Sequence, residues 1–275
     1  MDNRFKKTLL AITTYNQLEY TKQCIGSIKK LDEVPFDIII IDDCSSDGTV
    51  QWCKDNEIQI ADKHKPMGAV HSWNVAYKFF KHNKQYKYLI ISNNDVLIPQ
   101  GAILELLKVA SRWPFSVVAP LSTTVGAGHN GNVQGIEKMY QNINHDFVND
   151  PRNYQAVQDQ ILTIKRKMLK SNNVFMLDPC RVKMFNGFFF LMTRKVIDYE
   201  REDGFLFDPE KIMYKCEDEF NWSKLIPHND FPAVCKTSFI FHFKGMSTKK
   251  YGFSEVGNDK EKWKKLREES ENDQS

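Results

Sequence analysis

Residues 36–49 read Phe-Asp-Ile-Ile-Ile-Ile-Asp-Asp-Cys-Ser-Ser-Asp-Gly-Thr. The run from Phe36 to Ile41 is β-branched and apolar, too short for a buried helix and rich enough for a buried strand. Two acids follow, and then Ser45 to Thr49, residue types that cap a following helix. The same unit recurs on both sides. Thr8 to Thr13, Tyr88 to Ser92 and Ser116 to Ala119 are short strand-like runs. Between them Ala69, Val70, Trp73, Ala76, Tyr77 and Phe80 share one face at helical spacing, as do Ile103, Leu106, Leu107 and Ala110. Pro99 stands where the second of these helices would start. Strands alternating with helices predict an α/β fold with a mostly parallel central sheet flanked by helices.

Farther on the pattern weakens. Gly126, Gly128, Gly131 and Gly135 among many Asn residues predict a loop-rich stretch. Gln155 to Leu169 reads as a helix ending in the basic cluster Lys165, Arg166, Lys167 and Lys170. Strand-like runs return at Asn186 to Thr193 and Ala233 to Phe243. The Lys/Glu-rich tail from Asp259 reads as a solvated end.

The bulk numbers fit this frame. The chain has 275 residues, 41% hydrophobic and 27% charged, with 19 Phe, 10 Tyr and 5 Trp to build a core. A formal charge of +3 neither demands a nucleic-acid partner nor excludes one. Six cysteines stand singly with no C-x-x-C pair, so no zinc site and reduced thiols are expected. No apolar run approaches the ~18 residues of a membrane span, and the N-terminus does not read as a secretory signal. A cytoplasmic protein is the expectation, in the host cytoplasm if the source is viral.

In open parallel sheets ligands bind beyond the carboxyl ends of the strands, so the polar residues there hold the chemistry. After the first strand, Tyr15 can stack on a base and Thr13 can hydrogen-bond to one, although Thr-Tyr-Asn also makes an ordinary capped turn. After the second, Asp42 can accept the ring N–H of a pyrimidine. After the third comes Ser92-Asn93-Asn94-Asp95, in which a carboxylate can hold a hard cation together with two phosphates, or the segment simply starts a helix. Near the C-terminus stand Glu217-Asp218-Glu219 and His242. Acids in a first helical turn are favoured by its dipole, and a lone His is commonly a core residue, so each has a structural reading as well.

In this order, Tyr-Asn, Asp-Asp-x-Ser-Ser-Asp-Gly-Thr, Asn-Asn-Asp, Glu-Asp and His-x-x-x-x-Ser-Thr resemble the family 2 glycosyltransferases of the GT-A fold, a Rossmann-like nucleotide-sugar-binding fold. Pro66-Met67-Gly68 with Asn74, the apolar run Asn186 to Arg194, and Gly204 to Asp208 are similar to further segments of that family. The resemblance runs from about Thr8 to Lys250. It implies one domain over 1–258, with a nucleotide-sugar-binding half at 1–120 and an acceptor-binding half at 121–258, and a charged tail at 259–275.

By the resemblance, Thr13, Tyr15 and Asp42 hold the nucleobase, and Gly68, Asn93, Asn94 and Ser247 complete the donor site. Asp95 is the metal ligand, and His242 completes the metal or diphosphate site around Mn²⁺ or Mg²⁺. Asp218 is the general base with Glu217 beside it. Asn186, Gly187 and Trp222 face the acceptor. Asn93 departs from the family by replacing the first Asp of its DxD motif, and a neutral amide there weakens metal binding.

The implied activity is inverting transfer of a sugar from a nucleoside diphosphate donor, a UDP-sugar before others, to a glycan or other hydroxyl. A viral-type DNA glycosyltransferase acting on hydroxymethylated bases is one alternative, with Lys165 to Lys170 and Lys249-Lys250 touching phosphates. A nucleotide-sugar-binding module without catalysis is another. A nucleotidyltransferase would need a Gly-rich, Arg-containing loop after the first strand, and Thr13 to Glu19 has neither.

Overall fold

A computed structural model of the chain describes residues 8–31, 35–63, 65–123, 145–213 and 216–246, with positions 259, 261, 262 and 265. The glycine-rich stretch 124–135, Ser247, Lys249, Lys250 and most of the tail lie outside the described residues.

Among the described residues nine strands form the sheet. In chain order they are β1 (Thr8–Thr14), β2 (Phe36–Asp42), β3 (Ile60–Asp62), β4 (Tyr88–Asn93), β5 (Val96–Leu97), β6 (Val117–Ser122), β7 (Cys180–Arg181), β8 (Phe189–Thr193) and β9 (Ala233–His242). Their spatial order is β3-β2-β1-β4-β8-β6-β9-β5, with β7 on β9. The pairs β1–β2, β1–β4, β2–β3 and β6–β9 are parallel, while β8 runs antiparallel to both β4 and β6. Six strands therefore point one way, and β5, β7 and β8 point the other. The sheet is mostly parallel, as expected.

Alternation along each strand divides the core into two layers. Leu9 and Ala11 of β1 face one side and Leu10 and Ile12 the other. The first side is covered by α3 (Ala69–His82) and α6 (Tyr154–Lys170). The second is covered by α1 (Leu18–Ile28), α2 (Thr49–Asp55) and α4 (Ala102–Arg112). Two short helices, α5 (His145–Asn149) and α7 (Cys216–Phe220), complete the set. The face of α3 read from sequence is the buried one: Val70, Trp73, Ala76, Tyr77 and Phe80 are at most 3% exposed.

Polar side chains tie the layers together. Arg194 donates to the carbonyls of Phe80 and Lys81, closing the C-terminus of α3. Asn74 donates to the carbonyl of Phe207 and accepts from the amides of Leu206 and Phe207, which anchors the loop leading to α7. Pairing between β6 and β9 slips after Pro120, and Gln158 of α6 bridges the irregularity by donating to Thr237 O and accepting from Phe239 N.

Three strands of two or three residues, β3, β5 and β7, carry no readable periodicity of their own. The strand-like run from Asn186 is shorter in the fold: Asn186 to Phe188 form a loop and β8 starts at Phe189. Likewise β6 extends to Ser122, and β2 reaches Asp42 itself.

Candidate active site

The carboxyl ends of β1, β2, β4, β6 and β9 lie on one edge of the sheet, and the polar residues singled out from sequence gather there. Loops after β1 and β2 are laced together. The Asn16 amide donates to Ser45 Oγ (2.7 Å), Asn16 Oδ1 accepts from Ser46 N (2.8 Å), and Asp47 accepts from Leu18 N (2.8 Å) at the start of α1. Asp47 also accepts from Thr49 N and Oγ1, so one carboxylate caps α1 and α2 together. Asn16, Gln17 and Cys44 all hold φ between 53° and 68°. Three non-glycine residues in the left-handed region on adjoining loops are a concentration of strain typical of ligand sites.

Asp42 is wholly buried at the end of β2. Its Oδ2 accepts from Ser45 N (2.7 Å), so it does have a local turn role, whereas Oδ1 is buried with no hydrogen-bond partner. Burial, with Asp62 and Asp43 close by, pushes its carboxyl up to about 6 against the hydrogen bonds from Ser45. Thr14 is its partner across the β1–β2 pairing, and Thr13, opposite Ile41, donates to Ser92 O (3.3 Å). Tyr15 is half-buried just past β1.

Asp43, its neighbour in sequence, does the opposite job. Its carboxylate accepts from Met67 N and Gly68 N (2.8 Å each) and pairs with Lys63 at 2.5 Å. Gly68 has φ +90°, and a Cβ there would come within 2.6 Å of the Ile212 carbonyl oxygen, so this loop requires glycine.

Asn93 is half-buried at the end of β4, and its amide donates to Phe188 O (2.7 Å). Asn94 points inward: its amide donates to Thr14 Oγ1 and Thr21 Oγ1 (3.0 Å each) and to Asn16 O (3.3 Å). It holds β1 and α1 to the β4 turn and is 4% exposed.

Asp95 and His242 meet because β5 pairs with β9 and sets Val96 opposite His242. His242 Nε2 lies 3.2 Å from Asp95 Oδ1, both side chains no more than 10% exposed. Neighbouring donors about 2.1 Å from one hard cation stand about 3 Å apart, so the pair has the spacing of two ligands of one ion. Carboxylate and imidazole suit Mn²⁺ or Mg²⁺ when a diphosphate and water supply the remaining ligands. Among the described residues no cluster of three or more His, Cys, Asp or Glu converges to hold an ion unaided. Burial raises the Asp95 carboxyl, but His242 and the Met246 amide more than offset it and hold it below the usual range.

Phe188, not singled out from sequence, stacks on His242 with ring centres 4.3 Å apart. Its neighbour Gly187 donates its N–H to Glu217 and lies so close to Trp73 that a Cβ would meet the indole at 2.4 Å. A continuous path thus joins Asp95, His242, Phe188, Gly187 and Glu217. Burial and the adjacent charge of Asp218 push the Glu217 carboxyl above its usual range. Asp218 and Asn186 are half-buried on the same stretch, and Trp222 is 53% exposed.

Directly after α7 the backbone forms a π-helical turn, Asn221–Leu225. Asn221 is fully buried there with neither amide atom hydrogen-bonded, and Trp73 Nε1 is in the same condition. Such turns occur often at functional sites. The Asn-Trp pair at 221–222 carries no sequence signal for it.

The family model described as glycosyl transferase family 2 matches residues 10–197. No curated protein sequence matches. Among solved structures, residues 1–349 of TarS from S. aureus align with 14% identity and a TM-score of 0.52, covering 87% of this chain and 61% of that one. GalNAc-T7 with UDP, GalNAc and Mn²⁺ aligns with 12% identity and a TM-score of 0.59, covering 88% and 44%. A mannosyltransferase from Pyrobaculum calidifontis with GDP-Man and Mn²⁺ aligns with 13% identity and a TM-score of 0.51, covering 86% and 56%. The chain thus spans between two fifths and two thirds of the length of these structures, and it shares their GT-A fold.

Proposed function

The chain belongs to glycosyl transferase family 2, and within that family we propose that it moves a sugar from a nucleoside diphosphate donor to an acceptor hydroxyl in a single inverting displacement. One observation supports this above the others: the buried Asp95–His242 pair at the sheet edge, linked through Phe188 and Gly187 to the Glu217-Asp218 acids.

In this reading Asp42 Oδ1 receives the ring N–H of the base, which favours a pyrimidine and UDP first, and Tyr15 stacks on the ring. Asp95 and His242 hold Mn²⁺ or Mg²⁺, the ion named with two of the aligned structures being Mn²⁺. When bound, that ion neutralises charge developing on the departing diphosphate. Asn93 and Gly68 border the phosphates, and Ser247 is assigned to them by motif. Asp218 accepts the proton of the attacking hydroxyl, a contribution of about 10²–10⁴-fold. Glu217 stands beside Asp218 near the sugar or acceptor. Asn186, Gly187 and Trp222 border the acceptor, a glycan or other hydroxyl compound bound by the 121–258 half.

The test has two arms. Thermal-shift measurements with UDP, GDP and dTDP, with and without Mn²⁺, should show metal-dependent stabilisation by one nucleotide. A flat panel overturns the donor assignment. Asp218→Asn should then cut transfer by at least about 10²-fold while leaving that stabilisation in place. If binding falls together with activity, Asp218 is a structural residue and the base lies elsewhere.

A further inference from the structure

Exposed apolar side chains are concentrated in one place. Among the described residues six large ones are exposed, and four of them, Leu169, Val174, Phe175 and Met176, fall within residues 169–176. Phe175 is the most exposed, at 67%. The cause is local. Helix α6 buries Val157, Gln158 and Ile161 and turns its last residues outward. The chain then reverses at Asn172 (φ 60°) into a 3-10 turn, Val174–Leu177, whose first three side chains project from the surface.

The same segment is strongly basic. Residues 165–181 hold Lys165, Arg166, Lys167, Lys170 and Arg181 against the single acid Asp178, a net +4, where the whole chain carries +3. Arg166, Lys167, Lys170 and Arg181 are exposed, whereas Lys165 is turned inward onto Glu105. A cavity of about 550 Å³ opens beside the projecting turn, and its lining adds Lys108, Arg112 and Trp113 to Leu169 and Val174. The surface is therefore an apolar tip in a basic collar.

We propose that residues 165–181 form a membrane-docking surface that seats the chain on a bilayer containing anionic lipids. Val174, Phe175 and Met176 enter the boundary between headgroups and acyl chains, while Arg166, Lys167, Lys170 and Arg181 lie on lipid phosphates. A nucleic-acid duplex would engage the basic collar but leave the apolar tip, Val174, Phe175 and Met176, in water. An anionic bilayer takes up both. Each basic side chain near such a surface raises partitioning about fivefold, so three or four suffice to hold a chain that has no membrane-spanning helix among its described residues.

The surface lies at the end of β9 where Ala233 and Val234 pair with β7, and His242 ends the strand at the other edge. Docking therefore leaves the candidate active site turned toward the aqueous phase. Nucleotide binding is expected to be the same with and without vesicles.

Co-sedimentation of the full chain with phosphatidylcholine vesicles, with or without added phosphatidylserine, tests the proposal. Pelleting is expected only with the anionic vesicles and should fall as salt is raised. Phe175→Ser should reduce partitioning about tenfold or more, and the triple variant R166E/K167E/K170E should abolish it. Both variants alter exposed positions, so their melting curves and nucleotide-induced shifts should match the parent and exclude misfolding. No pelleting with either vesicle, or equal pelleting by parent and variants, overturns the proposal. So does a parent dimer that Phe175→Ser splits without any vesicle binding, which would assign the surface to a second copy. Nucleic-acid binding that ignores Phe175→Ser but is lost in the triple variant overturns it likewise.

Discussion

Two buried carboxylates sit at opposite ends of the sheet and show what separates scaffold from site. Asp230, 4% exposed near the start of β6, has each oxygen engaged: it accepts from Ser116 N (3.4 Å), Ser116 Oγ and Tyr199 OH (2.7 Å), and pairs with Lys195 at 2.8 Å. Burial raises its carboxyl, but Lys195, Ser116 and Tyr199 more than offset this and hold it below the usual range. Asp42, at the end of β2, is equally buried but keeps Oδ1 without a partner, and its carboxyl stands near 6. A carboxylate whose oxygens are all satisfied stabilises a fold. One left half-satisfied costs stability and is suited to a ligand that supplies the missing donor.

The largest expected effect tests the scaffold side. Asp230→Ala leaves Lys195, Tyr199 and Ser116 facing an emptied position and should lower stability by about 3 kcal/mol, or about 5 °C in Tm. Thermal unfolding checks it, and a loss below about 1 kcal/mol would mean that the network contributes little.

Asp42→Asn should act in the other direction. It removes a buried charge while an amide oxygen can still accept from Ser45 N, so the free protein should gain about 2 kcal/mol. Nucleotide affinity should fall about tenfold or more, since the amide accepts a ring N–H less strongly than a carboxylate. Calorimetric titration alongside a melt separates these. A variant that is less stable and still binds would place Asp42 with Asp230 as scaffold.

The smallest effect sharpens the comparison through pH. Asp42 has a raised folded-state value, so its protonated form favours the fold. The cost of its charge is absent below about pH 4 and grows as pH rises through about 6. The Tm advantage of Asp42→Asn should therefore shrink steadily between pH 7 and pH 4. Asp230 has a lowered value, and its contribution is present above the usual carboxylate range and lost below it. An advantage of Asp42→Asn that does not change with pH would show that the Asp42 carboxyl titrates normally in the fold.

Much of this was legible in the residues. The β-branched runs at 8–13, 36–41 and 88–92 and the helical faces at 69–80 and 103–110 specified the layered α/β architecture. The order of the motifs pointed to the edge where Asp42, Asp95, Glu217 and His242 stand. Less legible was α1: its N-cap, Gln17, has φ 63° and no side-chain cap bond of its own, and the cap is supplied by Asp47 from the next loop. Asn94 reads like its neighbours Asn93 and Asp95 but turns into the core, and the deciding contacts come from Thr14 and Thr21.

By itself the sequence determined the longer strands and the helices at 69–80, 103–110 and 155–169, because side-chain periodicity is local. It also placed the polar residues at the strand ends. Only the tertiary structure decided which of two adjacent acids, Asp42 or Asp43, has its oxygens filled. It alone brought His242 to within 3.2 Å of Asp95 and laid Phe188 between that pair and Glu217. These contacts depend on the order in which strands assemble across the sheet, which juxtaposes residues far apart in the chain and leaves no periodic trace along it.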